Sequence, residues 1–325
     1  MIRMRAMNLI KRRLSLAVLQ MVLLLGLEVV SVAAPAVQSF SVTAIQAKRI
    51  GRFDLGIGSE VLLQLPSGES IQGIFLGDLI EPKNLVPGNS IEQLMFLDPK
   101  KTRIYLVPRT ETSVPGFTAI QAVLNPYPQI SGTCAAYAMF HYYLQMLLSA
   151  SIHAPALAKA LATEEGRTQL LVSFVNRYYI ERTTAKSLVP ALNYIGKPYG
   201  IHCSIKSFTQ KAAVLNYIRT QLGAGFPVLM AFNIGSSMVE STYEVTEFDR
   251  RGSRDPRLWI PRKIGQTNGG GHAIVLTASF QVNRRSKVLV LDSDWAEPRI
   301  WDLEKYIGPK TDVKTLEFYS CQSGG

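Results

Sequence analysis

Gln129-Ile130-Ser131-Gly132-Thr133-Cys134-Ala135-Ala136-Tyr137-Ala138 is the stretch at which the character of the chain changes. Before it, from Val37 to about Thr118, come short β-type runs: Val61–Leu65, Ile71–Leu76, Leu94–Leu97 and Ile104–Val107. Turn chemistry such as Pro66-Ser67-Gly68-Glu69 and Pro87-Gly88-Asn89 separates them. After it, apolar residues recur at spacings of three and four. That pattern predicts helices over Thr133–Ser149, Ala154–Tyr179, Thr184–Ile195 and Lys211–Leu222, the last ended by Gly223-Ala224-Gly225. Apolar β runs follow at Val228–Phe232, Ala273–Phe280 and Val288–Leu291. Helices first and strands afterwards point to an α+β fold rather than to alternating α/β.

The chain has 325 residues, long enough for two domains and a sizeable core. Apolar residues make up 47% and charged residues only 18%, which excludes a disordered chain. The expected division is a signal segment over 1–36, a small all-β domain over 37–118 and a second domain over 119–325. The β domain contains no His and no Cys, so it reads as a structural or binding module, or alternatively as a propeptide.

The formal charge of +11 invites a nucleic-acid or membrane reading, but part of it is local. Arg3, Arg5, Lys11, Arg12 and Arg13 precede the uncharged apolar run Leu14–Leu27 and the small residues Ser31, Ala33, Ala34, Pro35 and Ala36. A basic stretch, a short apolar stretch and a small-residue site are the layout of a secretory signal peptide. The apolar run holds 14 residues, short of the ~20 that cross a bilayer. Read through Glu28 to Val37, the same segment would be an uncleaved membrane anchor. Segment 1–36 carries five basic residues and one acid, so cleavage after Ala36 lowers the charge by four, to +7. The expectation is an exported protein, periplasmic or secreted. No aromatic residues interleave with the remaining basic residues as a nucleic-acid platform requires, so no nucleic-acid partner is expected.

Cys134 falls at the first turn of an apolar helix. Backbone N–H groups there lack intrahelical partners and the helix dipole favours negative charge, so the position suits a thiolate. A small buried cysteine is the plainer reading of this segment taken alone. A nucleophilic thiolate needs an imidazole. His141 lies two helical turns beyond Cys134, about 10 Å along the axis, which is too far. His153 opens a loop, and His202 points away from its neighbour Cys203 on an extended segment. His272 follows Asn268-Gly269-Gly270-Gly271 and heads the strand Ala273-Ile274-Val275-Leu276, which suits an imidazole at the mouth of a cleft. The strand Val288–Leu291 runs into Asp292-Ser293-Asp294-Trp295. Antiparallel pairing of the two strands through the polar turn Gln281–Lys287 would return Asp292 to the side of His272. Asp292 is therefore the expected orienting acid, with Asp294 in reserve.

The order Cys134…His272…Asp292 resembles the papain-like cysteine peptidase superfamily, with His 138 residues after Cys. Cys134-Ala135-Ala136-Tyr137-Ala138 is similar to its Cys-Trp-Ala-Phe-Ala helix start. Gly271-His272-Ala273-Ile274-Val275 is similar to its His strand, and Gly225-Phe226-Pro227-Val228-Leu229 to the Gly-x-Pro-Val strand before it. Asp292-Ser293 followed by Trp295 resembles the Asn-Ser-Trp region with Asp for Asn. That substitution looks more like the bacterial branch containing double-glycine leader peptidases.

The resemblance covers roughly residues 120–310. It implies a papain-like catalytic domain with an N-terminal helical half and a C-terminal antiparallel β half. It also implies peptide or isopeptide hydrolysis on a polypeptide substrate, and Gln129 with the Cys134 N–H as oxyanion donors. Gln129 stands five residues before the Cys where the family has six. The other departure is the long segment Ser236–Gly270; over its stretch Glu247–Lys263, Arg250, Arg251, Arg254, Arg257, Arg262 and Lys263 outnumber Glu247, Asp249 and Asp255. It reads as a solvated surface loop, or as one overhanging the cleft and selecting acidic substrate positions. No metal or organic cofactor is implied. An acyltransferase on the same three residues, and a non-catalytic binding protein that keeps the fold, stay open. Cys203 and Cys321 remain as a disulfide pair or as two separate thiols.

Overall fold

The computed structural model describes residues 48–49, 56–65, 67–81, 93–100, 103–108, 122–127, 129, 133–181, 187–234, 245–249, 260–264, 270–282, 284–293, 298–308 and 311–324. The segment 1–36, read as a signal, lies outside them. So do Asp294 and the arginines at 250, 251, 254 and 257. No helix among the described residues is long and apolar enough to cross a membrane.

The N-terminal strands form one sheet: β1 (Lys48–Arg49), β2 (Glu60–Gln64), β3 (Ser70–Ile80), β4 (Gln93–Asp98) and β5 (Arg103–Pro108), in that order. Alternation along β2 places Val61 and Leu63 inward. They meet Ile71 and Phe75 from β3, Leu94 and Phe96 from β4, and Tyr105 and Val107 from β5 in one apolar cluster. The long strand β3 is bent by a bulge between Phe75 and Gly77, where Gly77 takes φ +112°, a conformation that favours glycine. Beyond the bulge β3 gains a partner that periodicity did not predict. The three-residue strand β6 (Ala122–Leu124) pairs with it in parallel, Asp78 opposite Ala122 and Ile80 opposite Leu124. The chain thus leaves this sheet ten residues before Cys134.

Helix α1 (Cys134–Leu148) follows, within one residue of the predicted span at each end. Every residue from Cys134 to Met146 is buried, so it is a central helix rather than an amphipathic surface one. The helix predicted over Ala154–Tyr179 is two helices, α2 (Pro155–Leu161) and α3 (Glu164–Glu181). Capping chemistry makes the break. The Thr163 Oγ1 accepts from the Gly166 N–H at 3.1 Å, and the Arg167 Nη1 donates to the Leu161 carbonyl at 2.9 Å. α4 (Val189–Gly196) is shorter than expected, with Pro190 in its first turn, and α5 (Lys211–Gly223) matches its prediction. Gly225, at φ +81°, turns the chain from α5 toward the next strand, its N–H on the Leu222 carbonyl.

The second sheet is built from β7 (Ile201–Lys206), β8 (Val228–Ile234), β11 (Gly270–Val282), β12 (Arg285–Leu291), β13 (Arg299–Asp302) and β14 (Glu317–Ser323). Their order is β13-β12-β11-β8-β14-β7, every neighbouring pair antiparallel. Met230, Ile274, Leu276, Val288, Val290 and Trp301 cluster with Val214, Ile218 and Leu222 of α5, and α1 packs against β11 and β8. The β11–β12 turn is tighter than the expected Gln281–Lys287. Val282 already pairs with Arg285, and Arg284 takes φ +62°. Within the segment read as a long loop, β9 (Val245–Asp249) and β10 (Ile260–Ile264) pair as a two-stranded sheet. A short helix α6 (Leu303–Tyr306) precedes β14. The molecule thus mixes helices with mainly antiparallel sheets, α+β in character, with β7 set between α4 and α5 and β6 joined to β3 in parallel.

Candidate active site

Cys134 is the first residue of α1, 8% exposed, and the Thr133 side chain makes no capping bond there. Its thiol donates to the Gly271 carbonyl oxygen at 3.6 Å and interacts with the His272 ring closely enough to raise the imidazole pKa. His272 sits near the start of β11, opposite Phe232 of β8, with its ring edge-on to that phenyl at 5.4 Å. The neighbouring aromatic face and 4% exposure hold the imidazole in one orientation.

The antiparallel register predicted for β11 and β12 is observed, Val275 opposite Leu291. Asp292 therefore emerges beside His272, and its Oδ1 lies 3.1 Å from the His272 Nε2. Burial by itself would pull the imidazole pKa down. The charge of Asp292, its hydrogen bond to the ring and the contact with Cys134 outweigh burial, and hold His272 well above the ordinary histidine value. With Nε2 committed to Asp292, Nδ1 is the ring nitrogen left for another partner. Three side chains from a helix start, a strand start and a strand end thus come together at one place.

Gln129 is tied to the same strand end. Its backbone N–H donates to the Ser293 carbonyl at 2.7 Å, and the Ser293 hydroxyl donates to its Oε1 at 3.0 Å. The side-chain amide is thereby oriented by the residue that follows Asp292. The family resemblance included Ser293 only as part of a phrase. Its position directly after the orienting acid was the available signal.

Two further residues belong to the site and were not assigned to it from sequence. Arg299 of β13 donates from Nη1 to the Asp292 Oδ2 at 3.2 Å. The strand β13 has only four residues and alternates weakly, so nothing in the sequence brought it there. His141 is fully buried, and its Nε2 accepts the Tyr127 backbone N–H at 2.9 Å. Burial drives its pKa down to about 3, only partly countered by the charge of Asp292. It is a neutral anchor for the segment leading to Gln129. The remaining histidines fall as expected: His153 and His202 are exposed.

Cys203 and Cys321 are joined by a disulfide across the register pair they form between β7 and β14, and Cys134 is a free thiol. No cluster of three or more His, Cys, Asp or Glu able to hold a metal occurs among the described residues. No protein-family model matches the chain, and no curated protein matches its sequence.

Proposed function

We propose that the protein is an exported papain-like cysteine hydrolase that cleaves peptide or isopeptide bonds. One observation carries the reading: a thiol at a helix N-terminus interacts with an imidazole whose Nε2 is held by a buried carboxylate. Cys134 Sγ attacks the acyl carbon as the thiolate, with the thiol proton held on His272 Nδ1. The helix-start backbone N–H of Cys134 and the amide of Gln129 stabilise the tetrahedral oxyanion. Collapse breaks the C–N bond, and His272 delivers its proton to the departing amine, which leaves a thioester on Cys134. Water, deprotonated by His272, then attacks the thioester. The carboxylic acid leaves and the thiol is restored. Asp292 keeps the ring in the orientation and tautomer that these transfers need. The Cys203–Cys321 disulfide supports an oxidising compartment and hence export.

The reading is tested with the full chain, fluorescein-labelled casein and a fluorescent primary amine. Turnover should be lost in Cys134→Ala, and fall by about 10³-fold or more in His272→Ala. Amine incorporated in place of cleavage would redefine the enzyme as an acyltransferase. A Cys134 that reacts with haloacetates no faster than free cysteine at pH 7 would falsify the catalytic assignment.

A further inference from the structure

We infer that Arg299 is a positioning residue of the catalytic series, holding Asp292 in place as a buried carboxylate that faces His272; this rests on the cysteine-hydrolase reading above. Asp292 is 0% exposed. An isolated carboxylate in such a place is strongly disfavoured unless its charge and its lone pairs are met. Its two oxygens are divided between two cationic groups: Oδ1 to the His272 Nε2 at 3.1 Å and Oδ2 to the Arg299 Nη1 at 3.2 Å. A carboxylate gripped from both sides cannot rotate away from the imidazole.

The sheet builds this contact. β13 pairs with β12 so that Arg299 lies opposite Val290, two residues before Asp292. That diagonal spacing is within reach of a long side chain. The Arg299 side chain is only 17% exposed, so its guanidinium acts where water screens it little. Arginine keeps its proton throughout the accessible pH range, so the cation is permanent.

Once the thiol proton of the proposed mechanism is on His272, charge alternates along the series from Cys134 through His272 and Asp292 to Arg299. Among the described residues, His141 of α1 also feels the charge of Asp292, and burial keeps it neutral. By sharing the carboxylate, Arg299 also limits how tightly Asp292 holds the imidazolium. His272 can then release its proton to a leaving amine. Removing the cation raises the proton affinity of its neighbours.

The test needs no natural substrate. Alkylation of Cys134 in the full chain by iodoacetate is followed from pH 4 to 10. The imidazolium attracts the reagent's carboxylate, so the rate falls as His272 deprotonates and marks an upper limit. In Arg299→Met that limit should move up by about one pH unit, while Arg299→Lys should keep it within about 0.3 unit. In an Asp292→Asn background, Arg299→Met should add no further shift. Circular dichroism verifies folding, and Arg299→Gln carries the same expectation if the Met variant does not accumulate. A neutral variant that folds and keeps the wild-type limit overturns the proposal, as does an equal shift in the Asp292→Asn background. A wild-type profile with no falling limb would instead overturn the cysteine-hydrolase reading.

Discussion

His141 and His272 are both buried, and their surroundings push them in opposite directions. His272 faces a carboxylate and a thiol, and burial loses to those partners. His141 has only a backbone N–H on Nε2 and no partner on Nδ1, so burial wins. Their pH windows therefore separate. Below pH 6.5 the unfolded chain protonates His141 while the folded one resists down to about pH 3, so stability falls as pH falls through that window. The slope is about 1.4 kcal/mol per pH unit at its steepest. We expect His141→Gln, whose side-chain oxygen can take the Tyr127 N–H, to lose less stability than wild type between pH 6 and 4. Urea unfolding at each pH measures this, and equal losses would sink the assignment. His272 contributes in the other window. Its raised pKa adds stability that is complete below pH 6.5 and is lost as pH rises through the folded value.

Helix α1 does more than present a thiol. One turn beyond His141, Gln145 is fully buried and spans the strand β6: its Oε1 accepts the Leu124 N–H at 3.0 Å and its Nε2 donates to the Ala122 carbonyl at 2.8 Å. β6 pairs on its other side with β3, so the N-terminal sheet, β6 and α1 are laced into one body. Gln145→Leu should cost about 1–3 kcal/mol of unfolding free energy, since it leaves the buried Leu124 N–H without this partner and removes a second bond from the half-buried Ala122 carbonyl. A loss below about 0.5 kcal/mol would mean that β6 is held by its sheet pairing alone. On the proposed hydrolase reading, the same lacing favours β strands that stay with Cys134 over a propeptide that is removed. Mass spectrometry of the active, exported chain should find residues 60–80 retained, and an active species starting near Thr118 would contradict this.

Across the molecule, the longest covalent closure is the disulfide between Cys203 and Cys321, 118 residues apart in sequence. It fastens the edge strand β7 to β14, and two tyrosines of α1 reach the bridged region. Tyr142 Oη donates to the Tyr319 carbonyl and accepts from the Cys321 N–H, while Tyr143 Oη donates to the Leu192 carbonyl beside Cys203. In the chain-entropy account a loop of this length is worth about 4–5 kcal/mol. The Cys203→Ser, Cys321→Ser double variant should lose most of that in urea unfolding yet keep haloacetate-reactive Cys134. Unchanged stability would show that the bridge constrains nothing the sheet had not already fixed.

Cys134, His272 and Asp292 were legible because each stands where one kind of local pattern meets another: a helix start, a glycine run entering a strand, an apolar run ending in acids. Helix periods and the β11–β12 pairing were legible for the same reason, since a hydrophobic period encodes which face is buried. The break at Thr163 was written in capping chemistry, which periodicity overlooks. β6, β13 and the order of the second sheet were not written locally at all. Strands of three or four residues carry too little alternation to register, and they exist here because a neighbour supplies the hydrogen bonds. Sequence by itself determined the mixed α and β character and singled out Cys134, His272 and Asp292 as candidates, with the pairing of Cys203 and Cys321 left open. Only the tertiary structure decided that Ser293 orients Gln129, that His141 is an anchor and that Arg299 shares Asp292. Such contacts depend on strand register and on which buried groups lack water, and a one-dimensional pattern records neither.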